Sequence, residues 1–201
     1  MAESEFGRTR GVGYVLVDLE TSGPRATEDE IIEVAVLGLN PDGCDIAWQR
    51  LIDPQCKIPS FIQSLTGIRP ELLVNAPLFS DISAELWELL DGRILVAHNV
   101  RFDSAFLRHA FRREGRQYRP KTLCTLKLAR ALYPHWPRHS LDAVCAQIGY
   151  VRTESHRAMA DVLAMKAFLD FARGDRGDDL MDYHIAFQQE GVPPTVGNSL
   201  Q

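Results

Sequence analysis

Tyr14-Val15-Leu16-Val17-Asp18-Leu19-Glu20-Thr21-Ser22-Gly23 reads as a buried β-strand that carries two carboxylates where apolar side chains should stand. Side chains of an extended strand alternate between faces, so Asp18 and Glu20 project from the same face close to one another. Two desolvated like charges either share a proton or enclose a cation. A divalent metal ion is the better answer.

The chain on either side of this strand defines the fold class. Thr21 to Asp29 is polar, with Gly23 and Pro24, and reads as a loop. Ile31 to Leu39 is a second β-rich run, Asn40-Pro41-Asp42-Gly43 a turn, and Cys44 to Ile52 a returning third strand. Three strands on short links form an antiparallel meander. Short helical turns at Ser60 to Leu65 and Pro70 to Val74 flank Thr66-Gly67-Ile68. Ser80 is the expected cap of a helix with Ile82, Leu86, Leu89 and Leu90 at helical spacing, ended by Gly92. Ile94 to Ala97 is apolar throughout, as in a strand buried on both faces. Helices follow at about Val100 to Arg113, Leu123 to Leu132, from the Ser140 cap to Gly149, and Ser155 to Arg173. These elements predict an α/β fold: a mixed sheet, with a three-strand antiparallel meander plus parallel strands, and helices packed on it. Ligands of such sheets gather at the carboxyl ends of central strands, where Asp18 to Thr21 and His98-Asn99 both lie.

The 201 residues, 45% of them hydrophobic, suffice for one domain with an appendage. Residues 1–11 read as a flexible N-terminus, 12–173 as the domain, and 174–201 as a linker and tail with a candidate helix at Leu180 to Gln189. No apolar run is long enough to span a membrane, and Met1 to Arg10 lacks the apolar segment of a secretory signal, which leaves the cytoplasm as the default. Cys44, Cys56, Cys124 and Cys145 show no C-x-x-C spacing, so reduced thiols are expected rather than a zinc site or a disulfide framework. A net charge of −5 argues against a protein that wraps a long polyanion. It leaves room for a site that grips a few nucleotides through bound metal.

Further titratable residues have a bland reading and a chemical one. Asp103, in the first turn of its helix, is favourably placed near the positive helix end, yet that end faces the same sheet edge as Asp18 and Glu20. Asp161 lies beside an apolar stripe and could simply pair with Arg157, four residues earlier. His156 is about 140° around a continuous helix from Asp161, so the two share a site only if His156 sits at the helix entrance. Glu33 and Asp81 read as structural or solvated, with Glu33 an alternative support for the acids. His98 and Asn99 either orient a carboxylate or cap the next helix. Arg101, Arg108, Arg112, Arg113, Arg116 and Arg119 crowd one helix and its exit, a pattern that attracts phosphate but more often is a solvated face.

Asp18-x-Glu20 with Thr21-Ser22-Gly23, His98-Asn99-x-x-Phe102-Asp103, and His156-x-x-x-x-Asp161 resemble, in order and context, the three motifs of the DEDDh 3'-to-5' exonucleases. Glu30-Ile31-Ile32-Glu33, Leu65-Thr66-Gly67-Ile68 and Ser140-Leu141-Asp142-Ala143 support the resemblance, which covers about Gly13 to Arg173. The pattern is similar to the proofreading epsilon subunit of bacterial DNA polymerase III, and more distantly to ribonuclease T and oligoribonuclease. The resemblance implies a ribonuclease H-like fold and two-metal hydrolysis of the terminal phosphodiester, with two Mg²⁺ ions that Mn²⁺ could replace. By carry-over, Asp18, Glu20, Asp103 and Asp161 are the metal ligands, and His156 takes the proton from the attacking water. Thr21, Leu65, Thr66, His98, Asn99 and Phe102 are the substrate-binding candidates, with Leu65 and Phe102 offering surfaces on which an unstacked base can rest. Thr66 stands where the epsilon subunit has a histidine, so contacts to the terminal nucleotide are expected to differ.

The partners implied are nucleic-acid 3' ends, with single-stranded DNA favoured over RNA, and either a DNA polymerase subunit or a second copy of the chain, with no membrane. Proofreading or repair is the expected setting. An exoribonuclease or oligonucleotidase of RNA turnover is the first alternative, because DNA and RNA differ at the 2' position, which the motifs do not read. A non-catalytic binding module is the second.

Overall fold

The structure, a computed structural model, describes residues 13–39, 45–152 and 156–177. β1 (Tyr14–Thr21), β2 (Ile31–Leu39) and β3 (Ile46–Leu51) form the expected antiparallel meander. β4 (Ile94–Ala97) adds to β1 in parallel and β5 (Thr122–Cys124) adds to β4 in parallel, giving one five-stranded sheet in the order β3-β2-β1-β4-β5. β1 is therefore central. A register shift between Glu20 and Thr21 marks a bulge at its carboxyl end, which bends the strand as it leaves the ladder. In the turn beyond, a Cβ at Gly23 would fall 2.4 Å from an Asp29 carboxylate oxygen, so a larger residue there would have to displace that carboxylate from its bond with the Arg25 N–H.

Alternation along β1 separates two layers. Val15, Val17 and Leu19 face α3 (Phe79–Leu90) and α4 (Arg101–Arg113), packing with Leu86, Leu90, Phe106, Leu107 and Phe111. Leu16 faces the opposite layer of α5 (Thr125–Leu132), α6 (Leu141–Ile148) and α7 (Ala158–Arg176), where Leu128, Val144, Val162, Met165 and Phe168 close over it. Full burial of each such side chain contributes about 1.5 to 3 kcal/mol. Asp18 and Glu20 share the face of Leu16 and so point toward α7. A smaller core under α1 (Ser60–Thr66) and α2 (Pro70–Leu73) holds Ile58, Ile62 and Ile68 against Ile32 of β2.

Four local expectations need correction. Ser80 lies inside α3 rather than capping it; the Asp81 carboxylate accepts the Leu78 N–H at 2.9 Å and does that work. The helix expected from Leu123 starts at Thr125, because Thr122 to Cys124 pair with Leu95 to Ala97 as β5. The last helix begins at Ala158, not Ser155, and passes through Gly174 to Arg176. Its extra turn is held by the Tyr133 hydroxyl, which donates to Asp175 at 3.0 Å, and by Arg176, which donates to the Leu132 carbonyl at 3.1 Å. The N-terminal stretch, the Asn40 to Gly43 turn, Cys44, and the Leu180 to Gln189 helix lie outside the described residues. Among those described, Cys56, Cys124 and Cys145 are free thiols, and no helix is long and apolar enough to cross a membrane.

Candidate active site

Four carboxylates from three elements meet at the carboxyl end of β1. Asp18 and Glu20 come from the strand. Asp161 comes from the first turn of α7, buried against the sheet. Asp103 comes from the first turn of α4, in the other layer, and reaches the strand end to accept the Leu19 N–H. That reach depends on how α4 starts: Asn99 adopts φ 73°, turning the chain sharply after β4 so that the first helical turn lies over the sheet end. His156 has φ 59° and stands before α7, at the helix entrance as expected. There it swings toward Asp161, and one ligating atom from each of Glu20, His156 and Asp161 lies within 4.8 Å of the others.

The electrostatics are unfavourable without a cation. Burial pushes the Asp18 carboxyl well above its ordinary value, and Asp103, Asp161, Glu20 and Glu33 add repulsion. Glu20 is raised to about 8, first by burial and then by Asp161, Glu33 and Asp103. Burial raises Asp103 to about 7, against hydrogen bonds from its own N–H and that of Leu19. Asp161 is raised by burial as well, although Arg152 and His156 draw it back. Carboxylate oxygens are the donors that hard divalent cations take, so the four acids fit a metal centre.

Three residues that sequence reading left aside or treated as structural complete the surroundings. Glu33 lies directly opposite Glu20 in the β1–β2 ladder and is fully buried. It accepts from Arg157 Nη2 at 2.9 Å, from the Ala158 N–H at 3.0 Å and from Gln49 Nε2 at 2.8 Å. These bonds tie β2 to the start of α7 and fix the turn that carries His156. Arg157 therefore serves Glu33, and Asp161 is paired with Arg152, whose guanidinium also holds Asp142. The signal for Arg152 was faint: a lone arginine nine residues before Asp161, outside any motif.

The substrate-binding candidates divide. Phe102 is half-buried, with its ring 4.8 Å from that of Phe106, and Leu65 is 48% exposed, so both retain apolar surface. Asn99 is exposed and offers its carbonyl to the Phe102 N–H; among the described residues its side chain caps nothing. Three others are engaged within the protein. The Thr21 hydroxyl donates to the Gly23 carbonyl at 2.7 Å. The Thr66 hydroxyl donates to the Ile62 carbonyl and accepts the Ile68 N–H, closing α1. His98 places Nδ1 3.0 Å from the Thr125 hydroxyl and Nε2 3.0 Å from the His139 carbonyl, and burial lowers its pKa to about 4. It joins β4 to α5 and the loop before α6.

The family model described as Exonuclease, of the RNase T type, matches residues 15–169, which include every residue of the carboxylate centre. The chain belongs to this family. Among curated proteins it is 34% identical over 149 residues to the 3'-5' exonuclease DinG of Staphylococcus saprophyticus, covering 74% of this chain and 17% of that protein. The DinG protein of Staphylococcus epidermidis is 32% identical over 164 residues, 79% of this chain and 18% of the relative. The chain thus spans less than a fifth of these relatives. Among solved structures, E. coli exonuclease I in complex with a dA16 oligonucleotide superposes with a TM-score of 0.77 at 20% identity, over 89% of this chain and 44% of that one. Exonuclease X in complex with 5' overhanging duplex DNA gives 0.66 at 24% identity, over 82% and 93%. The exonuclease domain therefore has the ribonuclease H-like α/β fold expected from its motifs.

Proposed function

We propose that this exonuclease domain is of the DEDDh type and removes nucleotides from the 3' ends of DNA, single strands foremost, releasing nucleoside 5'-monophosphates in repair or proofreading. The observation that carries the reading is the convergence of Asp18, Glu20, Asp103 and Asp161 with His156 at one strand end, with burial raising all four acids and mutual repulsion adding to the rise of Asp18 and Glu20. The DinG relatives are named as 3'-5' exonucleases, and exonuclease I is solved with DNA oligonucleotides, which favours that direction and substrate.

Asp18, Glu20, Asp103 and Asp161 would hold the divalent cations, Mg²⁺ by the hardness of the donors, and two such ions would neutralise charge on the attacking and leaving oxygens. The chain's own groups do the rest. Leu65 and Phe102 receive the terminal base on apolar surface, so that base identity matters little. His156, released from the helix by its backbone turn, takes the proton of the water that attacks phosphorus. The bond to the penultimate 3' oxygen breaks, that oxygen takes a proton from solvent to become the new 3' hydroxyl, and the terminal nucleotide leaves with the phosphate. Glu33 and Arg157 fix the strand-to-helix junction on which His156 and Asp161 depend.

The test is a time course on 5'-labelled single-stranded DNA and matching RNA with Mg²⁺, for the wild type, Asp18→Asn and Asp161→Asn. Stepwise shortening of DNA, slower shortening of RNA and silence in both variants is the expected result. Faster decay of RNA would move the substrate to RNA turnover, and activity retained in either variant would remove the carboxylates from the chemistry.

A further inference from the structure

α4 carries a second charge pattern, separate from Asp103. Arg101, Ser104, Arg108 and Arg112 follow at spacings of three, four and four, which aligns them as one stripe along the helix. At 1.5 Å per residue the stripe is about 17 Å long. The segment that leaves α4 brings Arg116 and Arg119 alongside, and together they line an open groove of about 820 Å³ whose walls contain these five arginines and no carboxylate. In a chain with net charge −5, that segregation is not a matter of composition.

Six arginines elsewhere are charge-compensated: Arg25, Arg50, Arg113, Arg152, Arg157 and Arg176 each stand in an ion pair. Arg69, Arg130 and Arg138, like the five groove arginines, have no ion pair among the described residues; what sets the groove apart is that five such arginines share one wall. Arg108 donates to the Ser104 carbonyl at 3.1 Å, Arg112 lies 3.3 Å from His109 Nδ1, and Arg116 sits 5.2 Å over the Trp87 ring. These contacts orient the guanidinium groups and leave their charge uncompensated. One end of the groove is at Val100 and Arg101, where α4 begins, and the same first turn carries Asp103 on its buried side.

We infer that this groove holds the phosphodiester backbone of the nucleic acid upstream of the nucleotide being removed. Guanidinium groups bind phosphate oxygens through paired N–H donors, and a stripe without acids gives an unbroken track for a polyanion. The inference rests on the nuclease reading for its ligand, and it adds a specific consequence. Long strands are held by two sites and very short ones by the carboxylate centre alone.

The experiment is fluorescence anisotropy with 5'-labelled single-stranded DNA of increasing length, in Ca²⁺ to prevent turnover, over a range of salt. It compares the wild type with Arg108→Glu/Arg112→Glu and the milder Arg108→Gln/Arg112→Gln, each checked by thermal melting. Hydrolysis of a dinucleotide in Mg²⁺ is measured alongside. Both double variants should bind the longest strand at least ten-fold more weakly. Each should flatten the plot of log affinity against log salt by about 1.4, for two lost contacts to a single strand at about 0.7 each. Dinucleotide hydrolysis should be unchanged. Equal affinity and slope in a folded variant would overturn the groove while leaving hydrolysis intact. A wild type that cuts nothing yet shows the length-dependent, arginine-dependent binding would retain the groove and remove the nuclease reading.

Discussion

Glu20 and Glu33 face each other across the β1–β2 ladder, point to the same side of the sheet, and have opposite fates. Glu33 is fully buried, yet three donors satisfy it: the Arg157 guanidinium, the Ala158 N–H and the Gln49 amide. Glu20 remains partly accessible and faces Asp161, Glu33 and Asp103, and its carboxyl is pushed up to about 8. The acid with internal partners is part of the framework. The acid without them is left uncompensated within the chain, which is what the proposed cation site requires.

The sharpest way to break this contrast is to neutralise each acid in turn. Glu20→Gln should lower turnover by at least about a thousand-fold, roughly 4 kcal/mol of transition-state stabilisation. It should leave the melting temperature of the metal-free protein unchanged or higher at pH 8, because a repelled charge has gone. A large loss of stability would show that Glu20 is framework after all.

The framework side is next in size. Arg157→Met would leave the Glu33 carboxylate buried without its cation, a change of about 3 kcal/mol, at the low end because Arg157 is itself 35% exposed. Glu33→Gln keeps an acceptor for the Ala158 N–H and should lose only about 1 kcal/mol. Chemical denaturation measures both. If Arg157→Met is as stable as the wild type, the ion pair does not position α7.

The same pair shows what sequence alone discloses. Asp18 and Glu20 are legible because strand alternation is rigid: two acids in an apolar run must share a face. The meander, β4 and the seven helices, boundaries aside, follow from equally local patterns. Glu33, between Ile32 and Val34, is like Glu20 an acid in an apolar β-run, and nothing in its neighbours says which of the two will find partners. That depends on ladder register and on the arrival of Arg157 from 124 residues away. β5 is three residues long and runs directly into α5, so its pattern is absorbed by that helix. Arg152 reaches Asp161 only through the fold. Asn99 and His156, both with positive φ, are placed by backbone turns that their side-chain types leave open.

Cation dependence sharpens the contrast with a smaller effect. Glu20 is raised to about 8 and Asp103 to about 7, above their ordinary values near 4. The folded state therefore binds more protons than the unfolded chain across that range, and the stability these groups contribute is present below about pH 4 and lost as pH rises through 7 to 8. The metal-free protein should melt several degrees lower at pH 8.5 than at pH 6, roughly 3 °C per kcal/mol for a domain of this size. Saturating Mg²⁺ or Mn²⁺ should remove most of that difference, since a cation takes the place of the protons. A melting temperature that neither falls with pH nor responds to divalent cations would mean that the acids are compensated within the chain.

The smallest effect runs in the opposite direction and comes from His98. Its pKa is lowered to about 4, chiefly by burial and secondarily by the Arg130 and Arg152 charges, while the bond to the His139 carbonyl works against the shift. That carbonyl can only accept, so Nε2 carries the proton and Nδ1 of the neutral ring accepts from Thr125. The folded pKa lies below the unfolded one, so this contribution is complete above about pH 6.5 and is lost as pH falls toward 4. His98→Asn would forgo about 1 kcal/mol of hydrogen bonding at pH 7. It should also flatten the acid limb of the stability profile between pH 6.5 and 4, where no carboxylate of the centre acts in that sense. An unchanged acid limb would show that the imidazole is already protonated in the fold. The join between β4, α5 and the loop before α6 would then rest on a charged ring, and burial would not be what sets the protonation state of a group held, like Glu33, by internal partners.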